Sequence, residues 1–424
     1  MKDKIVSVRA QQIIDCKCRP AVEVEIRTES GATGRGAAPT GTSVGMHEAF
    51  VLRDGDPFTY HGLSVHKAVA NVEQIIAPAI AGMDVFDQQG IDAAMIALDG
   101  TADKQRLGGN AIYSVSIAAF RAAADARRIP LYNHIARGEI NTVPVPCFNV
   151  INGGRYDGFI QSFNEFLIVP YGTDSIDIAI EMAVDVFQTL SDVLTGYLGQ
   201  KPQIASSYGY AAPSDDPEVL LNLMQQAIDR CGYRGRIAFA LDCASSEFYD
   251  ADSQTYLLKG QRVTSGALIA YARTLTEKFD FVFIEDLLDE NDWDGYCKAV
   301  RLLTRTNILG DDLTVTRLSR LERAWEARAV HGFILKPNQV GTITEALEAC
   351  EFAQKHGLIA VPSGRSGGVV DDVVMDLSIG LQVPFQKNGA PRSGERIEKL
   401  NFLMRASARS PGCTLYDITP LLKF

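Results

Sequence analysis

No apolar stretch of this chain reaches the ~20 residues that a helical bilayer span needs, which excludes a helical membrane protein. Basic residues are in deficit: 41 lysines and arginines stand against 52 aspartates and glutamates, a net charge of -11. That balance excludes a general nucleic-acid binder and a protein held to an anionic membrane surface. The eight cysteines lack any framework spacing, and Cys16 and Cys18 are too close for a usual zinc pair. Free thiols in a reducing cytoplasm are expected instead. Low-complexity tracts and short repeats are missing too. Met1-Lys-Asp-Lys-Ile-Val leads straight into an alternating strand, so no signal peptide is expected.

What is present is a folded chain of 424 residues, 46% hydrophobic and 22% charged, long enough for two domains. Six short apolar runs in the second half end in a charged or hydroxyl residue: Asp242, Glu285, Asp311, Lys336, Ser363 and Lys387. After a first gap of 43 residues these ends fall 26, 25, 27 and 24 apart. Each run reads as a buried strand, and each interval holds one helix and two loops. Parallel strands with helical crossovers at this pitch predict a (β/α) barrel whose C-terminal strand ends share one mouth.

The first third reads differently. Val22, Val24 and Ile26 alternate with Glu23, Glu25 and Arg27, a half-buried antiparallel strand, with partners expected at Ile5–Ala10 and Ala32–Ala38. Helical spacing follows near 64–78, 87–97 and 108–128. A small α+β domain over 1–138 and a barrel domain over 139–424 are expected, divided at Arg137-Gly-Glu-Ile-Asn-Thr. The stretch 39–48, Pro39-Thr-Gly-Thr-Ser-Val-Gly-Met-His-Glu, reads as a surface loop or as a lid that lays hydroxyls over an anionic ligand.

Asp242, Glu285 and Asp311 at three successive strand ends form an oxygen-only set that favours Mg²⁺. Singly, each would pass as a loop acid. The shared register, with lysines following, points to a site. A lysine beside a metal and a second lysine should have a lowered pKa, which makes Lys336 a candidate base for a carbon acid. Lys387 would hold developing carboxylate charge, or serve only as a structural ion pair. Arg365 and Ser366 suit a phosphate or carboxylate.

Several segments carry a family resemblance: Asp15-x-x-x-x-Pro-Ala-Val-Glu-Val-Glu, Arg53-Asp-Gly-Asp, Asn149-Val-Ile-Asn-Gly-Gly, Ala244-Ser-Ser-Glu-Phe-Tyr, Gly310-Asp-Asp-Leu-Thr-Val-Thr and Lys336-x-Asn-Gln-x-Gly-Thr. Over about 400 residues the chain resembles the enolases. The resemblance implies an α/β fold, an α+β cap before a barrel of ββαα(βα)₆ order. It implies Mg²⁺ on Asp242, Glu285 and Asp311, and a second, substrate-linked Mg²⁺ on Ser43. It makes Lys336 the base, Lys387 a carboxylate ligand, Glu165 a catalytic residue and Arg365 with Ser366 the phosphate clamp, with Ser363, Gly364 and Asn164 also binding substrate. Glu165 survives from the family's Q-E-F motif with Asn164 before it. A homodimer pairing Glu23 with Arg405 across the interface is implied as well.

Three departures fall inside the pocket. The family's G-D-E-G-G-F-A-P is Ser206-Ser-Tyr-Gly-Tyr-Ala-Ala-Pro213, which puts Tyr208 in place of a glutamate. The family's S-H-R-S is Ser363-Gly-Arg-Ser366, and its second histidine is Tyr156, so Gly364 and Tyr156 replace two imidazoles. The groups for metal, phosphate and α-proton remain, while those around the departing C3 hydroxyl are replaced. One positioned acid is worth roughly 10²–10⁴ in rate, so dehydration of 2-phosphoglycerate should be slow. Gly364 should leave room for a larger substituent, with Tyr208 or Tyr156 as replacement acids. The expected function is α-proton abstraction from a small phosphorylated carboxylate. One alternative is a relative turned to another phospho- or phosphono-carboxylate, as carboxyphosphonoenolpyruvate synthase is in phosphonate biosynthesis. The other is a non-catalytic scaffold.

Overall fold

A computed structural model describes residues 2–41, 45–136 and 138–424. Ser43 and Arg137 lie outside the described residues.

The N-terminal part is an antiparallel sheet, β1 (Ile5–Ile14), β2 (Pro20–Thr28) and β3 (Thr33–Ala37), in that order. Val22, Val24 and Ile26 are fully buried, as their alternation predicts. β1 runs four residues beyond the expected Ala10 because Gln11 to Ile14 keep pairing with β2. The alanine-rich helix Gly109–Ala126 packs on this sheet so closely that only glycine fits opposite it. A Cβ on Gly34 would stand 2.1 Å from the Ala118 carbonyl oxygen. Residues 66–80 are helical but contain a wide π turn, Val72–Ile76. Pro78 just beyond has no N–H to give the preceding turn.

A hairpin of β4 (Val145–Tyr156) and β5 (Phe159–Pro170) opens the barrel, and helices Ile176–Leu198 and Pro217–Arg230 follow it. Then come β6 (Ile237–Asp242), β7 (Phe281–Glu285), β8 (Asn307–Gly310), β9 (Gly332–Leu335), β10 (Ile359–Pro362) and β11 (Phe385–Gly389). β6 to β10 are parallel neighbours, β5 is antiparallel to β4 and β6, and β11 pairs in parallel with β4. A parallel bridge from Ser363 to Lys387 brings β10 to β11 and completes the round. The order is ββαα(βα)₆. Cys147, Leu167, Ala240, Phe283, Leu309, Ile334, Val361 and Phe385, one from each strand, meet in a single buried cluster. The 43-residue gap holds a small sheet of Tyr249–Asp250, Thr255–Leu258 and Gln261–Val263. Cap and barrel share a core in which Ala38, Tyr113 and Ile117 meet Ile343 and Leu377. No described helix is long and apolar enough to cross a membrane.

Candidate active site

Register delivers the acids to one level. Glu165 on β5 and Glu285 on β7 both stand opposite Asp242 on β6. Asp311 and Lys336 directly follow β8 and β9, and Lys387 lies within β11. The Lys387 ammonium is held by Asp242 at 2.7 Å, Glu285 at 2.7 Å and Glu165 at 3.2 Å. Asn149 donates to Glu165 (3.0 Å) and Asn164 to Asp242 (3.3 Å). Lys336 pairs with a single carboxylate, Asp311, whose other oxygen accepts from Gln339 at 2.8 Å.

The protein's own charges act on Lys336 in the sense opposite to the metal on which the expected fall depends. Burial alone would lower its pKa, but Asp311 and Glu285 outweigh burial and the like charges of Arg365 and Lys387, so it is raised. Lys387 lies well above the ordinary lysine value: burial opposes its charge, but Asp242, Glu285 and Glu165 prevail. Carboxylates outnumber the cations around the two lysines, and a bound divalent cation would shift that balance toward the expected fall.

That excess is the test of a metal. The set offers only oxygens, and Glu285 Oε1 is buried without a hydrogen-bond partner. Burial and the adjacent Asp242 push the Glu285 pKa well up. The next acid, Asp286, is pushed to about 7 by burial and by Asp311. Unsatisfied negative charge on hard oxygens fits a divalent cation of the Mg²⁺ type. Carboxylate oxygens of Asp286, Asp311 and Asp312 also lie within 4.8 Å of one another. Asp286, which the sequence reading passed over, is already engaged. It accepts the amides of Asp311 (2.9 Å) and Asp312 (2.7 Å) and the Tyr296 hydroxyl (3.1 Å), and so fixes the turn that carries Asp311.

Both described ends of the 39–48 loop are tied to the barrel. Thr40 and Gly367 exchange backbone hydrogen bonds of 3.1 and 3.0 Å. Glu48 grips the Arg365 guanidinium at 2.8 and 3.1 Å, both side chains nearly inaccessible to water. Glu48 carried no signal beyond its place at the end of the loop. Ser363, Gly364, Arg365 and Ser366 line the same cavity, open to solvent, as Lys336 and Lys387.

The replaced positions have been rebuilt. Tyr208, at φ +71°, turns its hydroxyl to the Cys16 carbonyl at 2.7 Å, and its ring lies under the Arg396 guanidinium. The Tyr156 hydroxyl donates to the Asn152 carbonyl at 2.7 Å. Neither tyrosine lines the cavity, so the structure does not place either as a replacement acid. Nor is the space beside Gly364 open: a Cβ there would stand 2.5 Å from Lys399 Nζ. Lys399 is buried, paired with Glu395 at 2.6 Å, and lines the cavity with Arg396. Sequence reasoning missed all three, because Glu395 and Lys399 have the spacing of an ordinary exposed helical pair. Within the chain Glu23 accepts from Gln11 at 2.8 Å, and Arg405 pairs with Glu398.

Comparison with known proteins matches residues 5–135 to the family model of the enolase N-terminal domain. Residues 140–416 match that of the enolase C-terminal TIM barrel domain. A protein named enolase from Methanopyrus kandleri is 43% identical over 406 residues, 95% of each chain. Another from Methanococcus aeolicus is 40% identical over 402 residues, covering 95% of this chain and 94% of the other. With both domains matched, in order, onto a barrel whose mouth carries these acids and lysines, the chain belongs to the enolase family and is an enolase-type lyase.

Proposed function

We propose that the protein is a Mg²⁺-dependent lyase in which Lys336 removes the α-proton of a small phosphorylated carboxylate of the 2-phosphoglycerate kind. The supporting observation is the unequal holding of the two lysines. Lys387 lies among three carboxylates and is the cation least able to release a proton; it is suited to steady negative charge developing on the substrate. Lys336 has one counter-ion, Asp311, and is the better base of the two. Asp242, Glu285 and Asp311 would hold the metal, with Ser43 on a second, substrate-linked ion. Bound there, Mg²⁺ supplies fixed positive charge to a substrate carboxylate. Arg365, Ser366 and Ser363 bind the phosphate, and Asn164 and Glu165 hold Asp242 and Lys387 in place.

The same reading carries a homodimer that joins Glu23 to Arg405 of the other copy, in the cytoplasm, where the eight free thiols would stay reduced. A monomer in sedimentation at working concentration removes the dimer. The deciding experiment follows solvent deuterium into C2 of 2-phosphoglycerate in Mg²⁺ buffer, alongside phosphoenolpyruvate formation. Exchange that outpaces product and disappears in Lys336→Ala is expected. Exchange surviving in that variant, or none in the wild type with Mg²⁺ bound, overturns the assignment.

A further inference from the structure

The end of the cavity around Gly364 carries polar groups that the proposed proton abstraction leaves unused. Arg396 and Lys399 come from the first turns of the helix Gly394–Arg409, Asn388 and Gly389 from β11, and Ser207 from the segment before Tyr208; all line the cavity. Arg396 and Lys399 are each only 4% exposed. Arg396 Nη1 is buried without a hydrogen-bond partner, its nearest acid contact being Glu395 at 3.7 Å. Asn388 is 1% exposed, and both atoms of its amide are likewise unpartnered. Glu395, paired with Lys399 at 2.6 Å, and Asp372 belong to the same cluster, but neither lines the cavity. The acids that do line it include Glu165, Asp242 and Asp311 of the lysine site, so what this cluster itself turns to the ligand space is Arg396, Lys399 and the Asn388 amide. Lys399 Nζ borders Gly364, which stands in the chain between Ser363, bridged to Lys387, and Arg365.

Buried donors without partners are costly unless a ligand satisfies them. Two cations and an amide that converge on such a spot suit an oxyanion with several acceptor lone pairs. The ordinary C3 substituent of 2-phosphoglycerate is a neutral hydroxyl and offers little to this charge. We infer that Arg396, Lys399 and Asn388 form a subsite for a second anionic group of the substrate, carried beyond the carbon that loses its proton. The substrate class is then a phosphorylated carboxylate with a further carboxylate or phosphorus oxyanion. This rests on the phospho-carboxylate reading above and specifies it.

The test compares two probes that differ only at that carbon. 2-Phosphomalate carries a carboxylate there and 2-phospholactate a hydrogen; each is titrated calorimetrically into the wild-type protein with Mg²⁺. Wild type should prefer 2-phosphomalate by about tenfold or more, the worth of one charge-assisted hydrogen bond. In Lys399→Met, and separately in Asn388→Leu, the ratio of the two affinities should fall toward one, whatever the overall affinity does. Equal affinities in the wild type overturn the subsite and leave the proton-abstraction reading standing. So does a ratio unchanged in both variants. If neither probe binds while Mg²⁺ does, the phospho-carboxylate reading fails and the subsite with it. The wild-type ratio needs no variant, so a misfolded mutant cannot rescue the idea.

Discussion

Removing the Glu48 carboxylate tests how far its buried ion pair with Arg365 holds the 39–48 loop on the barrel. In Glu48→Ala the Arg365 guanidinium, whose side chain is 5% exposed, loses both contacts at 2.8 and 3.1 Å. Stripping one partner from such a pair costs ~3–5 kcal/mol, mostly the penalty of leaving the other charge buried. The chain can avoid part of that by opening the loop alone, so the effect should appear first as local exchange. Three amides report it: Gly45, which donates to Glu48 at 3.1 Å; Met46, to Glu290 at 3.2 Å; and Ala49, to the Gln339 carbonyl at 2.7 Å. An energy of that size corresponds to roughly 10²–10⁴-fold faster hydrogen exchange at these sites. Amides in the barrel strands should keep their protection. Arg365→Met added to Glu48→Ala should restore much of the loss, since the buried charge is then removed together with its Glu48 partner. Two independent, additive losses, or an acceleration below about fivefold in Glu48→Ala, would refute the account.

Two further perturbations act far from the mouth. His331 accepts the Ile308 amide on Nδ1 at 3.0 Å, and burial, aided by Lys423, lowers its pKa to about 4. The unfolded chain therefore binds the proton first. Stability contributed by neutral His331 is complete above about 6.5 and is lost as pH falls toward 4, up to ~3 kcal/mol. His331→Gln should flatten the wild-type stability slope between those values, and parallel slopes would sink the assignment. Gly34→Ala should cost at least ~3 kcal/mol, because its methyl would press on the Ala118 carbonyl at 2.1 Å and the Ala122 amide nitrogen at 2.2 Å, both backbone. A denaturant midpoint close to wild type would show that the sheet and helix can part without penalty.

How much could be read beforehand followed how each feature is encoded. Barrel strands such as Phe281–Glu285 and Gly332–Leu335 are buried throughout, so unbroken apolar runs marked them and their final residues marked the mouth. The acids and lysines were legible for that reason. Contacts between segments distant in the chain were not. Glu48 meets Arg365 across 317 positions, and nothing in the Glu395–Lys399 spacing distinguishes a buried pair from an exposed one. Tyr208 could be recognised as a replacement. Its positive φ and its bond to Cys16, which turn it from the cavity, depend on a loop 192 residues earlier. The count of charges around Lys387 was not legible either, because it depends on which strand ends meet.

The rebuilt end of the pocket also bears on whether the chain is an inert scaffold. Random loss should leave holes at the altered positions, yet Tyr208 and Tyr156 have hydrogen-bond partners and Lys399 stands beside Gly364. Among the buried polar groups left without a partner, the Asn388 amide and Arg396 Nη1 lie on the cavity wall, and each such buried group costs ~1–3 kcal/mol. A scaffold gains nothing by carrying that cost, whereas a binding site recovers it from a ligand. Asn388→Leu, close in shape and without polar atoms, should therefore raise unfolding stability by ~1–3 kcal/mol in the absence of ligand, while weakening binding of a second oxyanion. Stability is read from denaturant unfolding of the ligand-free protein and binding from calorimetry with 2-phosphomalate. A variant that is both less stable and unchanged in binding would mean that the amide serves the fold, and the scaffold reading would regain its footing.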